Sequence, residues 1–159
     1  MQKPQVISVV RATPEHIRWL VENLYPADIA EIEAYGVSVG QALWGSFGLA
    51  AHCWAAVVED GVVCVWGVSK EKSLLGGAVA WMLTSNLIDK YSRPFLRGAQ
   101  PHLAALCSEY GYLENYVDSR HVRALRFFKW LGFEIEDGML VGPNKILFHK
   151  ICLRSYRGF

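Results

Sequence analysis

The chain has 159 residues, of which 52% are apolar and 13% aromatic, and its formal net charge is +1. That length makes one domain with a real core, and the aromatic content points to an aromatic-rich interior or interface. The near-zero charge gives no global pull toward nucleic acid or an acidic membrane surface, and the longest apolar run, Leu74 to Leu83, falls well short of the roughly 20 residues a membrane helix needs.

Met1-Gln2-Lys3-Pro4 leads directly into a strand over Val6 to Arg11, without the pattern of a signal peptide. Thr13-Pro14-Glu15 then signals a helix start: a capping hydroxyl, Pro at the first helical position and an acid in the first turn. Ile17, Leu20, Val21 and Leu24 form its buried stripe. Pro26 opens a second helix with Ile29, Ile32 and Tyr35 on one face and Gly36 at its end. A third runs from Val39 to Leu49, although Gly40, Gly45 and Gly48 weaken it. Strands over Cys53 to Glu59 and Val62 to Val68 are joined at Asp60-Gly61, a two-residue hairpin signal. The loop Lys70 to Gly77 leads to a strand over Ala78 to Thr84. Ser92-Arg93-Pro94 begins a long helix reaching about Glu109, and Gly111 ends it. A hairpin with strands over Glu134 to Val141 and Ile146 to Arg154 closes the chain.

Between these lies the most informative stretch, Leu113 to Phe133. Leu113, Tyr116 and Val117 favour a strand. Ser119 is placed to cap a helix, Leu125, Phe128 and Leu131 recur along one apolar face, and Gly132 stops it. Arg120, Arg123, Arg126 and Lys129 occupy the other side, which reads as a solvated face. Cys53, Cys64, Cys107 and Cys152 are spread singly without a CxxC pair, as in a chain kept in a reducing cytosol. His16, His52, His102, His121 and His149 are too scattered for a metal site, so no metal is expected. Trp44, Trp54, Trp66, Trp81 and Trp130 read as packing residues.

Val117, Ala124 and Gly132-Phe133 resemble the last strand-helix unit of the GNAT acetyltransferases, where Val, Asn, Ala, Tyr and Gly-Phe recur at fixed spacing. His121 stands at the Asn position and Phe128 at the Tyr position. The element order matches as well. The resemblance implies an α/β (α+β) fold: a single GNAT-like domain over residues 1–159, with a central mixed twisted sheet and helices on both faces. It also implies that acetyl-CoA would lie in a splayed gap between the parallel strands Ala78–Thr84 and Leu113–Val117. Met82, Leu83, Thr84, Ser92, Arg93, Arg97, His121 and Phe128 are then the candidate cofactor contacts.

Two of the chemical groups such a site uses are absent. The pyrophosphate loop should fall around Asp89 to Leu96, where no Gly is present and Pro94 has no N–H to offer an anion. Phe128 cannot supply the proton that a Tyr there would give a departing thiolate. Tyr116, Asp118 and His121 are the nearby catalytic substitutes, with Asp118 also suited to closing the turn after the strand and His121 to capping. Phe128 itself belongs on the core stripe.

Leu113 to Val117 with Arg123 to Phe133, the segment Ile7 to Ala30, and Leu74-Leu75-Gly76-Gly77 resemble, more narrowly, the small GNAT-like internal virion protein A family of short-tailed phages. That resemblance implies an accessory or assembly protein acting through virion or host proteins, in the host cytoplasm or packaged in the virion, and leaves room for a homo-oligomer. It implies no cofactor, no nucleic acid and no membrane. The alternative is an active acetyl-CoA-dependent N-acetyltransferase with an atypical pyrophosphate loop.

Overall fold

In the computed structural model of the protein, residues 6–72 and 77–154 are described. The stretch Leu74-Leu75-Gly76 and the chain's first residues, Met1 to Pro4, lie outside them. The elements run β1 (Ser8–Arg11), α1 (Pro14–Asn23), α2 (Pro26–Ala34), α3 (Val39–Leu49), β2 (Ala50–Val58), β3 (Gly61–Lys72), β4 (Ala78–Thr84), α4 (Ile88–Tyr110), β5 (Tyr112–Asp118), α5 (Val122–Trp130), β6 (Glu134–Val141) and β7 (Ile146–Arg154). The strands form one mixed sheet in the order β1-β2-β3-β4-β5-β7-β6. Its neighbours are antiparallel except β4 and β5, which run parallel and are joined by α4.

Alternation along β4 sends its side chains to opposite faces of the sheet. Trp81 and Leu83 pack with Ile17, Leu20, Ile32 and Leu43 from α1, α2 and α3. Ala78 and Ala80 pack with Leu106 of α4 and with Ala124, Leu125 and Phe128 of α5. Helices therefore cover both faces, as the sequence implies.

The local signals explain most of the boundaries. Thr13 caps α1 through a reciprocal pair with His16, and Ser38 caps α3 with Gln41 in the same way. That second cap, together with burial of Leu43, sustains α3 despite its three glycines. Gly111 takes a left-handed φ of 76° and ends α4. The hairpin between β2 and β3 turns through Glu59-Asp60, one residue earlier than expected, because Val58 pairs with Gly61. Gly61 then passes so close to Trp19 that an added Cβ would lie 2.3 Å from the indole ring.

Two helix starts differ from the sequence expectation. α4 begins at Ile88, four residues before Ser92, because the Ser85 hydroxyl accepts the Leu87 N–H and opens the turn. Pro94 and Pro101 then lie inside the helix. The carbonyls they leave without an N–H belong to Lys90 and Arg97, both exposed, where water can take the place of the missing donors. α5 is capped by His121 and not by Ser119, whose N–H donates to the Leu147 carbonyl across the sheet.

Phe128 packs edge-on against Phe133 (centroids 5.2 Å apart) and Phe127 (5.5 Å), and joins the cluster on the α4/α5 face as expected. It is half-buried and borders a cavity, so Phe128→Ala should destabilise the protein by about 2–3 kcal/mol, below the range for a fully enclosed Phe. Chemical denaturation checks this, and a loss under about 1 kcal/mol would place the ring outside the core.

Candidate functional site

β4 and β5 are paired only at Ala78–Leu113 and Val79–Glu114. Beyond that point β4 continues along β3 to Thr84 and β5 continues along β7 to Asp118, so the two strands part. Asn115 makes the last link, its Nδ2 donating to the Ala80 carbonyl at 2.7 Å. Thr84 turns its N–H and C=O away from β3, to Asp28 and Tyr25, while Ser85 bonds back to Val63 of β3. By the alternation of an antiparallel ladder, the Met82 N–H and C=O also face the gap.

Three hollows meet at Met82. On the α4/α5 face a cleft of about 300 Å³ is walled by Met82, Thr84, Ser92, His121, Arg123 and Trp130, among others. On the α2/α3 face a cleft of about 460 Å³ is lined by Glu31, Tyr35, Leu83, Asn115 and Tyr116. A smaller apolar cavity lies behind Met82 under α5, and Phe128 belongs to its wall. Of the expected cofactor contacts, Met82, Thr84, Ser92 and His121 thus share one cleft. Leu83 faces the opposite one, while Arg93 and Arg97 point to solvent on α4.

A buried polar lock holds the end of the gap. Asp28 of α2 is 6% exposed, and its Oδ2 accepts from the Thr84 N–H (2.7 Å) and the Thr84 hydroxyl (2.8 Å). Its Oδ1 lies 2.7 Å from His121 Nε2, and His121 Nδ1 accepts weakly from the Ala124 N–H at 3.3 Å. Both contacts are met by the neutral imidazole with its proton on Nε2. Burial disfavours the imidazolium, but Asp28 first, then the charges of Glu31 and Asp118, outweigh it and raise the His121 pKa.

Asp118 is 1% exposed and closes the turn after β5. It accepts from the Arg120 backbone (2.9 Å) and forms a two-pronged ion pair with the Arg120 guanidinium. Burial alone would raise its pKa; the Arg120 bonds and charge hold it below the ordinary value. Asp118 and His121 therefore spend their side chains on structure, although His121 also borders the α4/α5 cleft, and Tyr116 borders the cleft on the α2/α3 face.

Glu31 is the residue the sequence reading missed. It looks like one more acid on a short helix, yet burial, then the neighbouring Asp28 carboxylate, push its pKa up to about 8, with His121 pulling the other way. Tyr35, beside it, is pushed up to about 12 by burial and by the charge of Glu31.

The start of α4 is closed to anions. The N–H groups of Leu87, Ile88, Asp89 and Lys90 bond within the turn, and Asp89 occupies the positive end of the helix. Arg123 crosses from α5 to pair with Asp89 and also donates to the Tyr25 hydroxyl at 3.2 Å. An amide cradle for a diphosphate is therefore not on offer there, although Arg123, Arg126 and the Ser92 hydroxyl line the same cleft. Elsewhere, Glu134, Glu136 and Cys152 come together, with the Cys152 thiol donating to Glu136 and its pKa raised by burial. No helix among the described residues is long and apolar enough to cross a membrane.

No family profile matches the sequence, and no curated protein matches it. Solved structures do. Spermidine N-acetyltransferase from Vibrio cholerae, in complex with CoA and spermine, superposes with a TM-score of 0.66 at 8% identity, covering 94% of this chain and 95% of that one. For yncA of Salmonella typhimurium, solved with its cofactor acetyl-CoA, the TM-score is 0.65 at 11% identity, covering 96% and 95%. A GNAT-family acetyltransferase from Streptococcus pneumoniae gives 0.61 at 11% identity, covering 94% and 99%. The chain has the GNAT acetyltransferase fold over most of its length.

Proposed function

We propose that the protein is an acyl-CoA-dependent N-acyltransferase with an atypical anion grip. The observation that carries this reading is the parting of β4 from β5 after Val79–Glu114, with clefts on both faces meeting at Met82. A thioester arm entering from the α4/α5 face would find the Met82 backbone groups facing it. The neighbours solved with CoA or acetyl-CoA support the same class of donor. An amine would approach from the Glu31 cleft. Its nitrogen attacks the thioester carbonyl, the new C–N bond forms as the C–S bond breaks, Glu31 takes the amine's proton, and the leaving thiolate takes one from Tyr116.

Arg123 and Arg126 are the cations available to a diphosphate, and Asp89 competes for the first of them. Calorimetric titration with acetyl-CoA tests the reading. Binding is expected, and Asp89→Asn should tighten it roughly two- to fivefold by releasing Arg123 from an exposed ion pair. At one hundred times its dissociation constant the ligand should stabilise the fold by about 2.7 kcal/mol and raise Tm. An absence of binding in both proteins would discard the acyltransferase.

A second reading, a non-catalytic GNAT-fold scaffold for virion or host proteins, draws on one observation: the start of α4 has its N–H groups satisfied and its charge neutralised from within. It becomes the better account if titration shows no binding.

A further inference from the structure

We propose that the apolar cavity behind Met82 receives the acyl chain of the donor thioester, and that the preferred chain has about four to six carbons. The inference rests on the acyltransferase reading and names its donor more closely. The cavity measures about 70 Å³ and is walled by Trp66, Ala80, Phe95, Ala99, Leu103 and Phe128. Met82 and Phe127 belong both to this wall and to that of the donor cleft, so the two hollows adjoin. Ala80 of the cavity wall is tied to Asn115 where the strands part, and Asn115 and Met82 also line the Glu31 cleft from which an amine would approach.

Size and chemistry both favour a short alkyl chain. At about 10–15 Å³ for each water-sized group, the space holds on the order of five such groups, which is room for a short alkyl chain. An acetyl methyl would leave most of it empty, and wall atoms around a void forgo their dispersion contacts. The wall is uncharged. His102, its one ionisable member, has its ring edge-on to Trp66 at 5.4 Å, and burial lowers its pKa toward the neutral form. Among the described residues, the one polar side-chain atom buried there without a partner is His102 Nε2, which can take a single hydrogen bond but, on a neutral ring, leaves the charge of an acyl group uncompensated.

The test is calorimetric titration of the full chain with CoA, acetyl-CoA, butyryl-CoA and hexanoyl-CoA. Each methylene that enters the cavity should strengthen binding about fourfold, the equivalent of about 0.8 kcal/mol. Butyryl-CoA should therefore bind at least tenfold tighter than acetyl-CoA. Ala99→Leu, which fills the cavity, should erase that difference and leave CoA binding unchanged. Equal affinities across the series in the unaltered protein would overturn the inference, reduce the cavity to a packing void and leave the acyltransferase standing. If CoA and every thioester fail to bind, the inference falls together with the reading beneath it.

Discussion

Glu31→Gln should remove most of the roughly 2–3 kcal/mol of stability that the unaltered protein loses between about pH 5 and 9, leaving the smaller loss that follows from the raised His121 pKa. In the folded chain the Glu31 carboxyl holds its proton up to about pH 8, against 4.5 for an ordinary Glu. Between those values the unfolded chain has released the proton and the folded chain has not, so stability falls as pH rises. Its full value is present below about pH 4.5, and the loss is complete above about pH 8. The ceiling implied by that interval is near 5 kcal/mol, from about 1.4 kcal/mol per unit, and partial contact with water reduces it. Gln keeps the shape without the charge. Denaturation curves for both proteins at pH 5 and pH 9 decide the matter, and parallel shifts would show that Glu31 ionises normally. If Glu31 also takes the amine's proton, transfer should rise with pH through about 8 and fall roughly 100- to 10,000-fold in the variant.

That result would reveal how the sequence conceals its chemistry. The terminal hairpin, the Thr13 cap and the Gly111 stop were readable because each is decided by neighbours a few residues away. The parallel pairing of β4 with β5 followed from the helix between them. The start of α4 was not readable, since Ser92-Arg93-Pro94 has the residues of a helix start and the hydroxyl that opens the turn is on Ser85. Ser119 likewise looks like a cap until the Leu147 carbonyl claims its N–H across the sheet. Thr84 and His121 lie 56 and 93 residues from Asp28 along the chain, and only the packing of α2 against the sheet brings the three together. Local residue type decides local elements, whereas the pKa of Glu31 depends first on its burial and then on Asp28 of its own helix, with Asp118 and His121 brought in from the β5–α5 turn.

Asp28→Ala should destabilise the protein by about 3–5 kcal/mol, a large part of the 5–15 kcal/mol expected for a domain of this kind. The change leaves the Thr84 N–H, the Thr84 hydroxyl and His121 Nε2–H buried without their acceptor. Each orphaned donor costs about 1–3 kcal/mol, and local rearrangement or entering water recovers part of the sum. Asp28→Asn should cost less, about 1–2 kcal/mol. Its amide oxygen can still accept from Thr84, but its NH₂ then meets His121 Nε2. To accept that bond, the imidazole must move its proton to Nδ1, where it opposes the Ala124 N–H and weakens the cap of α5. The order Ala worse than Asn, read by chemical denaturation, is specific to this arrangement. A loss under about 1 kcal/mol in Asp28→Ala would mean that the lock does not hold the end of β4 against α2 and α5. The same lock positions both walls of the donor cleft, so acetyl-CoA affinity should fall in Asp28→Asn even at temperatures where that variant remains fully folded.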